Sequence, residues 1–165
     1  MLSQILDSNK VNQKIKRIAL EIIERTYSEE HVVIVGIESS GFELAKRICL
    51  ELEHFESKKF PCFSIKINKP SPLDQPISTN VNTSELGNSV VIIIDDVQNS
   101  GKTMAYAVKY FLQFPVKAIQ TCVLIDRRHN RFPVRADYVG LSLSTTLKEH
   151  VSVETTGKDI TVSLN

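Results

Sequence analysis

Two adjacent carboxylates, Asp95 and Asp96, directly follow the aliphatic run Val90 to Ile94, and Ser100, Gly101, Lys102 and Thr103 come shortly after them. An apolar run of this kind reads as a strand covered on both faces, and in open α/β sheets the carboxyl end of such a strand is where ligands bind. Paired carboxylates there suit ribose hydroxyls or a magnesium chelate. The small-residue turn at Ser100 and Gly101, with Lys102 beside it and Thr103 opening an apolar-periodic segment, presents backbone N–H groups at a helix N-terminus to an anion. Two other phosphate motifs are excluded. A P-loop needs glycine where Asp96 stands, and the dinucleotide fingerprint needs a glycine triplet that is absent.

The elements that must hold these residues follow from hydrophobic spacing. Val11, Ile15, Ile18, Ala19, Ile22 and Ile23 recur at helical intervals behind a cap at Ser8 or Asn9. His31 to Val35 is a buried-type strand ending at Gly36, and Phe42 to Leu52 is a helix. Phe60 to Ile67 alternates as a strand. Thr103 to Phe114 is a helix stopped by Pro115, and Ala118 to Ile125 is another covered strand. A strand, a helix and a strand so spaced imply a right-handed crossover between parallel strands. Tyr138 to Leu143, His150 to Val153 and Ile160 to Val162 read as short strands that form a small cap, the last two separated by Gly157. Residues 68 to 88 are rich in Pro, Ser, Asn and Thr, which predicts a mobile lid or a disordered insertion.

The aliphatic run, acidic pair, short loop, glycine, basic residue and threonine resemble the phosphoribosyl pyrophosphate (PRPP) signature of type I phosphoribosyltransferases. VLIDRRHNRFPVRADYVG (Val123 to Gly140) and IKRIALEIIERT (Ile15 to Thr26) resemble segments of the pyrimidine operon attenuation regulators, which are also uracil phosphoribosyltransferases. The likeness runs from about Val11 to Val153. It implies a single α/β domain over residues 1 to 165, with a twisted, mainly parallel sheet flanked by helices and a small cap from the chain termini. It also implies transfer of a 5-phosphoribosyl group from PRPP, magnesium arriving with PRPP, and a nucleobase acceptor.

By the same resemblance, Asp95, Asp96, Asn99, Ser100, Gly101, Lys102 and Thr103 hold the ribose and 5′-phosphate. Ile37, Glu38, Ser39, Ser40 and Gly41 occupy the place of the pyrophosphate loop, where the family carries basic residues at the positions of Glu38 and Ser40. Lys66 approximates the basic residue of the lid and joins Asp95 and Asp96 as a catalytic residue. Asp126, Arg127 and Arg128 form the base-binding region, although a solvated charged loop with Asp126 and Asp137 as partners is an equal reading. Enzymes of 6-oxopurines carry an aspartate where this chain has Asn99, which favours a pyrimidine, most simply uracil giving UMP. The rival is a regulatory module that senses PRPP or nucleotide and meets RNA or a protein without turnover. Glu38 and Ser40 favour that rival.

Net charge is +1, with 24% charged and 42% hydrophobic residues, so no bulk attraction to nucleic acid or membrane is expected. Lys10, Lys14, Lys16 and Arg17 form a local basic face, read either as solvated or as an RNA contact. Three widely spaced cysteines, Cys49, Cys62 and Cys122, read as reduced packing thiols. No apolar run reaches membrane-span length and the N-terminus lacks a signal-peptide core, so a cytoplasmic protein is expected; a homo-oligomer, most simply a dimer, is expected separately. The four histidines have no metal-ligand spacing.

Overall fold

The computed structural model describes residues 2–165. Helix α1 (Ser8–Thr26) follows a short strand β1 (Ser3–Leu6) that the sequence did not announce. Asp7, rather than Ser8 or Asn9, caps α1: its side chain accepts the Lys10 N–H at 2.8 Å. Ser8 instead donates to the Asp159 carboxylate at 2.8 Å. The crossover units follow as β2 (Val32–Ile37), α2 (Ser40–Phe55), β3 (Cys62–Lys66), β4 (Ser78–Thr79), β5 (Val90–Gln98), α3 (Lys102–Phe111), β6 (Ala118–Asp126) and β7 (Tyr138–Ser142). They form one sheet in the order β4-β3-β2-β5-β6-β7, parallel except for the edge strand β4. This is the twisted, mainly parallel architecture the resemblance implied.

Alternation along the central strands divides the core in two. Val90, Ile92 and Ile94 of β5 pack toward α1 and α2, whereas Val91 and Ile93 face α3 with Met104, Ala107 and Phe111. All five of these β5 residues are at most 2% exposed, and each such side chain contributes about 1.5–3 kcal/mol on burial. Strand β5 does not stop at Ile94. Its ladder to β6 continues through Asp95, Val97 and Gln98, so the acid pair lies within hydrogen-bonded strand, not in the turn after it. That register fixes where both carboxylates point.

The cap is a second sheet in the order β1-β9-β8, antiparallel, built from β8 (Val151–Thr156), β9 (Asp159–Leu164) and the N-terminal β1; Tyr138–Ser142, expected in the cap, instead pairs parallel with β6 at the edge of the main sheet. Both ends of the chain thus contribute, and Val151, Ile160 and Val162 join the α1 side of the core.

The segment 68 to 88 differs from the long polar loop expected. Ser64 N–H donates to Asn80 Oδ1 at 2.8 Å, Thr79 donates back to Ser64 O at 2.7 Å, and Val81 and Leu86 are buried. Two apolar side chains and a two-residue strand anchor its second half, and a 3-10 turn covers Thr83–Glu85. The stretch from Lys69 to about Ile77 lies outside the sheet, tethered by the Lys69–Asp95 ion pair, by buried Pro72 and by Ile77 against the core; among the described residues its backbone N–H bonds within the segment are Asp74 N to Ser71 O and Ser71 N to Asn68 Oδ1.

Candidate active site

A cavity of about 550 Å³ opens at the carboxyl end of β5. Residues 95 to 104 line one side, Lys69 and Pro70 reach over it, and His150 to Val153 of the cap form the opposite wall. A smaller cavity, about 390 Å³, lies at the amino ends of β2 and β3 between Glu30–Val33 and Lys58–Pro61. No ionisable side chain there is buried.

The acids differ in environment. Asp95 is 4% exposed, and burial first, then the neighbouring Asp96 charge, pushes its pKa up to about 7, against the pull of Lys69. Asp96 is half-buried. Each backbone N–H that follows is taken by the preceding carboxylate: Asp96 N donates to Asp95 Oδ1 at 2.9 Å and Val97 N to Asp96 Oδ1 at 2.7 Å. Lys69 Nζ stands 3.0 and 3.2 Å from the two Asp95 oxygens and 3.7 Å from Asp96 Oδ1. Partial burial works against the ammonium, but the two carboxylates more than offset it, and the Lys69 pKa is raised. Gly41 backs the pair: a Cβ there would lie 2.9 Å from Asp95 Oδ1.

The anion end lies beyond Asn99. Gly101 has φ 83°, a conformation glycine adopts without steric cost, and it turns the chain into α3. Ser100 Oγ accepts from Lys102 N at 3.2 Å, and Ser100 O accepts from Arg131 and Phe132 N–H groups, which pins the turn. Among the described residues, the Thr103 and Met104 N–H groups make no hydrogen bond within the chain. Two open amides, Lys102 and the helix dipole therefore converge on one end of the cavity.

Other expected site residues lie elsewhere. Lys66 is exposed at the end of β3, paired with the edge strand, and does not line the cavity; Lys69, three residues on, reaches the acids instead. Strand alternation explains the difference, because Ile65 faces the core and Lys66 therefore faces away. In the loop after β2, Ile37 is fully buried in the α3-side core and cannot meet a ligand with its side chain. Glu38 is exposed and its backbone N–H is taken by Ile65 O at 2.9 Å; the Glu38–Ser39 peptide bond is cis. Ser39 and Ser40 lie at the start of α2 and, like Glu38, outside the cavity wall.

In the expected base-binding region, Asp126 accepts the Arg128 N–H at 2.9 Å, Arg128 is exposed, and Arg127 is buried at 7% exposure behind Asn99. The cap residues His150 to Ser152 were not foreseen as cavity wall. Only topology brings them there, since β8 belongs to the cap sheet and lies far along the chain from β5.

Residues 1–156 match the phosphoribosyl transferase domain model. The chain belongs to the phosphoribosyltransferase family. It is 38% identical over 156 residues to the bifunctional protein PyrR of Clostridium kluyveri, covering 91% of this chain and 88% of that one. It is 33% identical to the bifunctional protein PyrR of Streptomyces coelicolor, covering 94% and 84%. Its fold matches the hypoxanthine phosphoribosyltransferase of Trypanosoma cruzi with a TM-score of 0.76 at 17% identity, covering 97% of this chain and 95% of that one. The family makes the chain a PRPP-dependent phosphoribosyltransferase. No helix is long and apolar enough to cross a membrane.

Proposed function

We propose that this protein transfers the 5-phosphoribosyl group of PRPP to uracil, giving UMP and pyrophosphate. The observation that carries the reading is that the acid pair and the open amides of Thr103 and Met104 line one cavity, with a carboxylate end for ribose hydroxyls and an N–H end for the 5′-phosphate. In the reaction the C1′–O bond to pyrophosphate breaks, a C1′–N bond to the base forms, and the base N–H proton is released. Charge spreads into the ribose ring as the leaving group departs, so positioning and exclusion of water do most of the catalysis. Asp95 and Asp96 orient the hydroxyls beside that developing positive charge. Lys69, carried by the stretch up to Ile77, exchanges its acid partners for ligand oxygens as the stretch closes.

Magnesium fits as part of the ligand. Asp95 and Asp96 offer hard oxygen donors, while among the described residues no three His, Cys, Asp or Glu side chains converge, so pyrophosphate oxygens would supply most of its coordination. When bound it would neutralise charge on the leaving group.

A regulatory reading, in which nucleotide is sensed and RNA or a second protein is the partner, is supported by exposed Glu38 and by the solvent-facing Lys10 and Lys16 of α1. Arg17 of the same face is already committed: it donates to Gly140 O at 2.7 Å and to Glu21 at 2.7 Å. Incubation of the protein with PRPP and magnesium against a panel of free bases, reading pyrophosphate release, tests the proposal. Release with uracil supports it; release with none of the bases would favour the regulator.

A further inference from the structure

Asn99 sits at the edge of the cavity with an exposed side chain, and its neighbour Arg127 is almost sealed from solvent. Each nitrogen of that guanidinium donates a hydrogen bond. Nη1 donates to Asn99 Oδ1 at 2.7 Å, Nε to Thr145 Oγ1 at 2.9 Å, and Nη2 to Thr146 O at 3.0 Å and Glu149 O at 2.6 Å. The Arg127 backbone N–H donates to Gln98 O at 3.0 Å, so the residue is held from both ends. A guanidinium has donors and no acceptor and stays charged throughout the physiological range, so only the oxygen of the Asn99 carboxamide can face it. The bond is charge-assisted and short, which resists a turn of the amide. The amide nitrogen is thereby left on the cavity side, and among the described residues no protein group takes up its two hydrogens.

We infer that Arg127 fixes Asn99 as a hydrogen-bond donor toward the base, so that the site selects a base edge presenting a lone pair, a carbonyl oxygen or an unprotonated ring nitrogen, over one presenting an N–H. This rests on the nucleotide-forming reading above and adds to it a specificity residue and a positioning residue. It also has a chemical consequence. A carboxamide does not accept a proton at neutral pH, so Asn99 stabilises the base without deprotonating it, and the N–H proton lost on transfer goes elsewhere.

Calorimetry on the full chain tests this with matched nucleotides. UMP is compared with 2-thio-UMP, whose sulfur is a poor acceptor, and IMP with 7-deaza-IMP, which has C–H in place of N7. In whichever series binds, the wild type is expected to favour the member with the better acceptor by about fivefold to tenfold, the size of one net hydrogen bond. Asn99→Asp keeps Arg127 paired but offers oxygen alone, so the preference should fall to about one or invert. Arg127→Met frees the amide to rotate and should also lower the ratio, a selectivity change that a purely structural role for Arg127 would not produce. Equal binding of both members by the wild type, or an unchanged ratio in Asn99→Asp, would overturn the inference and leave the phosphoribosyl reading standing. If the wild type binds neither ribose 5-phosphate nor any of the four nucleotides, both fall together.

Discussion

The turn from Ser100 to Thr103 and the loop from Gly36 to Gly41 each join a central strand of the same sheet to the helix that follows it, yet they are built for different neighbours. The first has a left-handed glycine, a lysine and two open amides facing a cavity. The second has an exposed carboxylate, two serines and no cation; its Ile37 is sunk in the core and its Gly41 is spent on making room for Asp95. Similar topology therefore does not give similar anion affinity. On the proposed reading, one end of the site holds a phosphate well and the other holds pyrophosphate only with help from magnesium and backbone N–H groups, which makes the nucleotide product a better ligand than the family's donor.

The largest effect is expected where the cavity's chemistry is concentrated. Asp96→Asn removes a half-buried carboxylate without disturbing the core, so kcat/KM for PRPP should fall about a hundredfold or more while Tm moves little. A fall of less than about threefold in steady-state assays would place the ribose elsewhere.

Next comes the weak loop. Glu38 is exposed and off the cavity wall, so water screens its repulsion of a bound pyrophosphate, and Glu38→Lys should tighten PRPP binding by only about threefold to tenfold. UMP, which lacks the pyrophosphate, should change by less than about twofold, and calorimetry with both ligands reads the contrast. Equal gains for the two ligands would show that the loop acts as a general electrostatic surface.

A smaller effect separates the two lysines. Asp95 has its folded pKa raised above its unfolded value near 3.8, so it favours the folded state fully below that value, and this advantage is lost as pH rises through about 7. Lys69→Met removes the charge that opposes this shift, so stability at pH 8 relative to pH 5 should drop further, by about 1–2 kcal/mol in urea titrations. Lys66→Met, at an exposed position off the cavity, should change the same difference by less than about 0.5 kcal/mol. If both variants behaved alike, the Lys69 ion pair would contribute nothing in solution. The smallest effect is local: limited proteolysis should cut between residues 69 and 77 and spare 78 to 88, and saturating UMP should slow the cut a few-fold. Equal cutting on both sides of Thr79 would restore the longer mobile loop.

Much of this was legible in the residues. Continuous aliphatic runs announced β2, β5 and β6, and the acid pair with its glycine turn announced the cavity, because burial on both faces and a helix N-terminus each leave a local pattern. The misses were non-local. Whether Lys66 or Lys69 meets Asp95 depends on which face of β3 turns inward and on a loop that folds back, neither of which spacing alone decides. Arg127 read as a base contact because its neighbours are charged, but four partners drawn from Asn99 and the stretch 145–149 bury it behind the site. The polar stretch around Asn80 read as a mobile lid or a disordered insertion because Val81 and Leu86, the apolar residues that anchor it in the core, are isolated in the sequence.

The central claim is tested most directly by following UMP formation from uracil, PRPP and magnesium, with wild type and Asp96→Asn assayed side by side. The account predicts UMP with stoichiometric pyrophosphate from the wild type and about a hundredth of that rate or less from the variant. No UMP from a wild type that binds UMP tightly, or equal rates from both proteins, would contradict it.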